Sequence, residues 1–214
     1  MNDTERFKKL IEGGDCCISI VTYEERFVLD TIRQAAIDLK QGLWIWSVAG
    51  GVKEGFLTDS PYIADTETPT AGLRYLAETE QDSICVVLDL AEHLKACSVL
   101  RALRDLIDRF EQLGNTLVML DCNDTLPEVV KSYTKPFEIS FPSQQELIEI
   151  VRKTLLRSHR KTPIEIGITK KGLDTIVRNL RGLTRRQAER VITDTVIEDK
   201  RFSDNDINPV IASK

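Results

Sequence analysis

The sequence predicts an α/β fold: a parallel sheet of five strands with helices on both faces, followed by a small all-helical subdomain. Short apolar segments alternate with amphipathic helix patterns as far as Phe141, which is typical of a sheet buried on both faces. Beyond Phe141 only helix patterns follow. We therefore predict an α/β core over residues 1–142 and a helical subdomain over residues 143–214.

The five predicted strands are short and rich in β-branched or aromatic residues. They are Cys16–Thr22, Leu43–Val48, Ile84–Asp89, Thr116–Asp121 and Phe137–Phe141. Each is apolar at consecutive positions, as expected for a central strand of a parallel sheet. Strands that alternate with helices indicate right-handed βαβ units.

Three helices are predicted between these strands. Glu24–Lys40 and Ser98–Leu113 carry apolar residues at intervals of three and four, and Gly114 follows the second as a helix C-cap. Thr70–Thr79 is a shorter helix. Residues 49–69 form the longest irregular stretch, which is either a functional loop or a variable insertion.

The predicted helical subdomain begins with a capping box, in which Ser143 is the N-cap and Glu146 lies three residues later. This helix extends to about residue 158, and a second helix spans residues 169–181. A second capping box, Thr184 with Gln187, opens a helix to about Asp199. Residues 204–212 can add a fourth helix.

Charge divides the chain as clearly as the strand pattern does. The net charge is −5 overall, but residues 1–151 carry −12, residues 152–190 carry +9 and residues 191–214 carry −2. Such a switch suggests two units with different partners. The chain has no apolar run of the ~18 residues that a membrane span needs and no signal-peptide core, which predicts a cytoplasmic protein.

The five cysteines form no CxxC pair and no cluster with histidine at metal-ligand spacing. Three of them, Cys17, Cys85 and Cys122, fall in or just beyond predicted strands. We interpret the cysteines as reduced, buried small hydrophobes, and we predict no metal site.

The first strand-to-helix turn lacks the residues that bind phosphate. A phosphate loop of the form GxxxxGK[ST] needs glycines, so that backbone N–H groups converge, and a lysine. The turn here reads Thr22-Tyr23-Glu24-Glu25, and two glutamates repel a triphosphate. The nearest imitation, Gly50–Gly55, follows the second predicted strand and lacks the Ser or Thr that holds Mg²⁺.

Six segments spread over nearly the whole chain carry a family resemblance. They read DCCISIVTYEER, LWIWSV, ICVVLDLAEHL, NTLVMLDCNDTLPEVV, FEISFPSQQELIEIV and GLTRRQAERVITDTVIEDKRF. This series resembles the N-terminal half of an uncharacterised bacterial and plastid AAA-type ATPase family, first named as a hypothetical chloroplast reading frame. The resemblance implies a P-loop-NTPase-like core with an AAA-type lid. It also implies a degenerate first module, with an intact ATP site in a second module beyond this chain.

The resemblance identifies a vestigial nucleotide pocket in the core, made of Thr22, Tyr23, Asp89 and Asn123. Asp89 stands where such enzymes hold the metal, but Leu90 replaces the water-activating glutamate that normally follows, and Asp89 can equally be a strand terminator. Asn123 resembles the polar sensor of the γ-phosphate and can equally form an Asx-turn.

The resemblance also implies functional arginines, which this sequence matches only in part. Arg185 and Arg186 open the third lid helix, where a nucleotide-sensing arginine can lie; they can equally contact a partner or remain solvated. Residues 133–136 contain no arginine, so an arginine finger is missing there.

We hypothesise a non-catalytic AAA module with an assembly or regulatory role, inactive as an ATPase on its own. Its partners would be a second AAA module or neighbouring subunits, including further copies of itself. The chain itself would need no cofactor, and ATP and Mg²⁺ are implied only for the missing module. If plastid-encoded, the protein would reside in the stroma.

Two alternatives remain open at this stage. The basic segment 152–190 can bind nucleic acid or a protein, although it has almost no aromatic residue for base stacking. A small-molecule α/β enzyme would use strand-end groups such as Asp89 and Asp121.

Overall fold

A computed structural model describes residues 2–199 and 201–203 of the 214-residue chain. It divides into two compact units, the first ending at Ile139 and the second beginning at Ser140. The first carries 14 Lys/Arg against 24 Asp/Glu, a net charge of −10, and the second carries 15 against 10, a net charge of +5.

The first unit is built on a six-stranded sheet, in the order β3-β2-β4-β5-β1-β6. The strands are β1 (Cys17–Val21), β2 (Gly42–Ser47), β3 (Gly51–Glu54), β4 (Ser83–Leu88), β5 (Thr116–Asp121) and β6 (Lys135–Pro136). All neighbours are parallel except β2 and β3, which form an antiparallel hairpin. The predicted α/β class and mostly parallel sheet are confirmed, with six strands instead of five.

Helices cover both faces of this sheet. They are α1 (Asp3–Glu12), α2 (Glu25–Leu39), α3 (Pro69–Ala77), a 3-10 helix (Ala91–Lys95), α4 (Cys97–Leu113) and the one-turn α5 (Glu128–Lys131). One buried cluster packs α1 and α2 on one face, and a second packs α3, α4 and the 3-10 helix on the other. Trp46 is fully buried in the second cluster, where Trp44 is partly buried against Tyr75.

Two sequence predictions for this unit need correction, and one helix, α1, was not predicted. Phe137–Phe141 is not a strand: only Lys135 and Pro136 pair with β1, and Phe137 instead packs edge-on against Phe7, with ring centroids 5.6 Å apart. The stretch 49–69 is not irregular throughout, because it contains β3, in which the adjacent charged residues Lys53 and Glu54 conceal a strand. The polar N-terminus forms α1, which buries Phe7 against the sheet.

The second unit contains α6 (Gln144–Lys161), α7 (Lys170–Leu180) and α8 (Arg185–Asp199). Both predicted capping boxes form, since Ser143 and Glu146 cap α6 reciprocally and Thr184 and Gln187 do the same before α8. The unit is not all-helical, because β7 (Glu165–Gly167) and β8 (Arg201–Ser203) pair in parallel. The predicted helix over residues 204–212 lies outside the described residues.

None of the helices in the described ranges combines the length and the apolar character needed to cross a membrane.

Candidate functional site

The turn between β1 and α2 contains only Thr22, Tyr23 and Glu24. Two of its three backbone donors are already used: the N–H of Thr22 donates to the carbonyl oxygen of Asp121 at 3.0 Å, and the N–H of Glu24 donates to Oγ1 of Thr22 at 3.1 Å. Tyr23 is 75% exposed. A phosphate loop needs a longer, glycine-rich segment whose N–H groups converge on one point, so this turn does not have that shape.

The glycines of the Gly50–Gly55 segment serve a close-packed hairpin. A Cβ on Gly50 would lie 2.4 Å from the Tyr62 ring, and Gly51 has a φ of +84° with Thr66 Oγ1 at 2.4 Å from the Cβ position. Gly55 is similarly tight against Leu43. These contacts explain the glycines as packing and turn residues between β2, β3 and the following loop.

The ends of β4 and β5 bring two aspartates to the same edge of the sheet. Asp89 adopts a φ of +51°, and its N–H donates to the carbonyl oxygen of Leu120 at 3.0 Å. Asp121 is only 5% exposed; its Oδ1 accepts the N–H of Ala91 at 3.0 Å, and its Oδ2 has no hydrogen-bond partner among the described residues. A non-glycine residue at positive φ and a buried, unpaired carboxylate oxygen are both costly, which marks this edge as unusual.

The ionisation of Asp121 reflects this position. Burial, the largest cause, and the nearby carboxylates of Asp89 and Glu92 together raise its pKa to about 6, against the opposing hydrogen bond from Ala91. Glu92 is exposed, and Lys95 at 3.1 Å holds the pKa of Glu92 below its usual value. The sequence indicated Asp121 only as a strand-end acid; its burial depends on the 3-10 helix that folds over it.

The other predicted positions of the core are less engaged. Asn123 is exposed, and its Nδ2 lies 3.4 Å from the sulfur of Cys122. Leu90 is completely buried, so the position of the water-activating glutamate belongs to the hydrophobic core. Within the described residues, no group of three or more His, Cys, Asp or Glu side chains is placed to hold a metal ion.

The five cysteines range from buried to exposed, and Cys16 is half-buried. Cys17 and Cys85 are buried free thiols, and burial raises the pKa of Cys85 to about 12. Cys97 and Cys122 are exposed, which corrects the prediction that the cysteines are buried.

The two predicted arginines belong to the second unit, whereas Thr22, Tyr23, Asp89 and Asn123 lie together at the carboxyl edge of the sheet in the first. Arg185 donates to the carbonyl oxygen of Ser140 and to the carboxylate of Glu146, both at 2.9 Å. Partial burial acts to raise the pKa of Glu146, but the hydrogen bonds from the Ser143 N–H and from Arg185 hold that pKa below its usual value. Arg185 thereby joins the start of α8 to the capped start of α6, and Arg186 is exposed.

Comparisons with known proteins agree with this architecture. The profile of the N-terminal domain of SpoVK-like AAA ATPases matches residues 3–138, and the profile of their second domain matches residues 145–214. No curated protein sequence matches the chain.

Solved structures share the fold at low sequence identity. PCH-2 of C. elegans is 12% identical, with a TM-score of 0.56 over 98% of this chain and 66% of that one. Trip13 in the HORMA:CdnC:Trip13 complex of E. coli MS115-1 gives 11% identity and a TM-score of 0.60, covering 98% and 85%. The FIGL-1 AAA domain in complex with ADP gives 13% identity and a TM-score of 0.58, covering 92% and 70%. At these identities the likeness concerns the fold alone.

Proposed function

The chain belongs to the SpoVK-like AAA ATPases, and we propose that it is a non-catalytic module of that family with an assembly or regulatory role. The turn from Thr22 to Glu24 carries this proposal. It has three residues and no glycine, and its Glu24 N–H already donates to Thr22. A triphosphate placed there would find no glycine-rich loop of converging backbone donors, and it would meet the charges of Glu24 and Glu25.

Two further features support the same proposal. Leu90 fills core space where a glutamate would activate water, and residues 133–136 offer no arginine to a neighbouring active site. Loss of one such group could be compensated elsewhere. Here the phosphate loop, the glutamate and the arginine finger are all affected, and all three serve ATP hydrolysis. Hydrolysis of ATP, with Mg²⁺, would then reside in a second AAA module or in neighbouring subunits, which are the proposed partners. We place the protein in the cytoplasm, or in the plastid stroma if it is plastid-encoded.

Isothermal titration calorimetry with Mg-ATP and with ADP tests this function. We expect no saturable heat up to about 1 mM nucleotide, which corresponds to a binding free energy weaker than about −4 kcal/mol. An AAA domain with an intact phosphate loop, titrated under the same conditions, is the positive control. Micromolar affinity for either nucleotide in this chain would overturn the proposal.

A second candidate function, nucleic-acid binding by the second unit, is favoured by one observation. Arg152 and Arg160 lie eight residues apart on α6 with the exposed Leu156 between them, and neither arginine has an acidic partner among the described residues. In contrast, Arg157 pairs with Glu189.

An electrophoretic mobility shift assay with DNA and RNA at low salt tests this candidate. Binding should weaken with salt and disappear in the double variant Arg152→Glu/Arg160→Glu. The double variant Arg101→Glu/Arg104→Glu on α4 makes the same charge change in the first unit. Absence of any shift at low salt would exclude this candidate.

A further inference from the structure

The carboxyl edge of β4 and β5 concentrates negative charge. Asp89 follows β4, Glu92 lies on the 3-10 helix, Asp121 ends β5, and Asp124 lies three residues beyond it. The N–H of Ala91 donates to Asp121, which joins the 3-10 helix to the end of β5. An edge that holds phosphates in nucleotide-binding α/β proteins is therefore acidic here.

Two lysines beside these acids neutralise only part of that charge, and Arg26, Arg33 and Lys53 line the cavity that Asp89 also borders. Lys95 pairs with Glu92 at 3.1 Å, and Lys131 pairs with Asp124 at 3.1 Å. Asp89 is exposed, and Asp121 is buried. Neither aspartate has a basic partner among the described residues. Buried carboxylates are normally paired with a cation or fully hydrogen-bonded, but Oδ2 of Asp121 has no partner in the described part of the chain.

We propose that this edge binds the side chain of an arginine or lysine from another polypeptide. The cation would contact the exposed carboxylate of Asp89 and supply the counter-charge that Asp121 lacks beneath it. The inference rests on the proposed function, because in a catalytic module Asp89 would instead hold a metal ion beside the triphosphate. The acidic edge favours a protein partner, since the phosphates of a nucleic acid would be repelled.

An arginine fits this edge better than a lysine does. Its planar guanidinium offers several N–H donors in a fixed arrangement, so it can bridge neighbouring carboxylates and donate to two oxygens at once. A lysine would bind as a point charge, with a smaller gain in specificity.

Peptide binding followed by NMR tests the proposal directly. The probe is acetyl-Gly-Arg-Gly-Gly-amide, and its control contains citrulline, which has nearly the same shape as arginine but no charge. We expect saturable shifts of the Asp89, Cys122 and Asn123 amides with the arginine peptide, at a dissociation constant in the millimolar range or tighter at low salt. No shift with either peptide, or equal shifts with both, would overturn the proposal.

Charge-matched variants separate a specific site from general attraction to an acidic protein. Asp89→Asn and Asp121→Asn should each weaken binding of the arginine peptide at least five-fold. Asp105→Asn removes the same charge from the exposed face of α4, where Asp105 pairs with Arg101, and should leave binding unchanged. If all three variants weaken binding equally, the net charge alone attracts the peptide and the site is excluded.

The pH dependence gives an independent readout. Affinity should fall as the pH is lowered through about 6, because Asp121 then becomes neutral. By linkage, the arginine peptide should lower the pKa of the Asp121 carboxyl, measured by carbon-13 NMR, and the citrulline peptide should not. An unchanged Asp121 pKa at saturating arginine peptide contradicts the proposal. The carboxylates that act on Asp121 are those of Asp89 after β4 and Glu92 on the 3-10 helix. The other charged groups at this edge are Lys95, which pairs with Glu92, Asp124 with its partner Lys131, and Arg26, Arg33 and Lys53 in the cavity beside Asp89.

A failure of this inference can be distinguished from a failure of the proposed function. Tight Mg-ATP binding would overturn that function, whereas an absence of peptide binding together with an absence of ATP binding would overturn this inference alone.

Discussion

The ends of β1 and β5 are neighbours in the sheet, yet their polar groups are satisfied to very different degrees. In the turn after β1, Oγ1 of Thr22 accepts a hydrogen bond from the N–H of Glu24, and the N–H of Thr22 donates to the carbonyl oxygen of Asp121. The end of β5 instead buries a carboxylate with one unpaired oxygen. A turn whose Thr22 and Glu24 N–H groups already donate hydrogen bonds is poorly suited to bind an anion. The buried Asp121 carboxylate, with one oxygen unpaired, instead favours a cation.

The largest expected effect comes from restoring the glutamate that an ATPase would carry beside Asp89. Leu90→Glu places a charge in the fully buried position of Leu90, and we expect it to lower the free energy of unfolding by about 4 kcal/mol or more without producing ATPase activity. Urea denaturation followed by tryptophan fluorescence measures this change, because both tryptophans, Trp44 and Trp46, lie in the first unit. Leu90→Met is the control, with an expected loss below about 1.5 kcal/mol. A well-folded, fully stable Leu90→Glu protein would contradict the burial argument.

A smaller effect is expected from the unpaired acid itself. Because the pKa of Asp121 is raised to about 6 in the folded chain, its contribution to stability is present below its unfolded pKa near 4 and is lost as the pH rises through 6. Asp121→Asn removes this dependence, so the stability of the wild type relative to the variant should fall by about 2 kcal/mol between pH 4 and pH 7.

Urea denaturation at several pH values, followed by tryptophan fluorescence, measures this difference. Asp105→Asn is the control for net charge. Parallel stability curves for wild type and Asp121→Asn would mean that Asp121 titrates normally, and the contrast between the two strand ends would then disappear.

The smallest effect concerns the turn after β1. Thr22→Ala removes the acceptor of the Glu24 N–H and should cost about 1 kcal/mol in the free energy of unfolding. Thr22→Ser keeps the hydroxyl and should retain most of the stability. If the serine variant is as unstable as the alanine variant, the methyl group of Thr22 stabilises the turn and its hydroxyl does not. Thr22→Ala should also leave the chain unable to bind Mg-ATP, because the turn remains short and acidic.

Features encoded by neighbouring residues could be predicted from the sequence. The Ser143 capping box and the helix end at Gly114 depend on residues within one or two turns, and both occur as predicted. The β5 segment was predicted with its observed bounds because its continuous apolar run is typical of a central parallel strand.

Features that depend on distant partners were missed or misplaced. The segment after Pro136 looks like a strand, but an edge strand exists only as far as it finds a partner, and β1 pairs only with Lys135 and Pro136, just before that segment. The strand β3 was hidden by Lys53 and Glu54, because exposed charges are common on an edge strand. Asp121 was visible as a strand-end acid, but its burial requires the 3-10 helix to fold over it.

The sequence by itself determined the α/β class, the sign change of the charge and the absence of a GxxxxGK[ST] phosphate loop, because each follows from residue types and short-range spacing. Only the tertiary structure decided that Thr22 and Glu24 use their N–H groups in hydrogen bonds and that Asp121 is buried without a counter-ion among the described residues. The bond from Thr22 to Asp121 and the burial of Asp121 depend on segments far apart in the sequence that meet at the sheet, where the removal of water sets the free energy of each polar group.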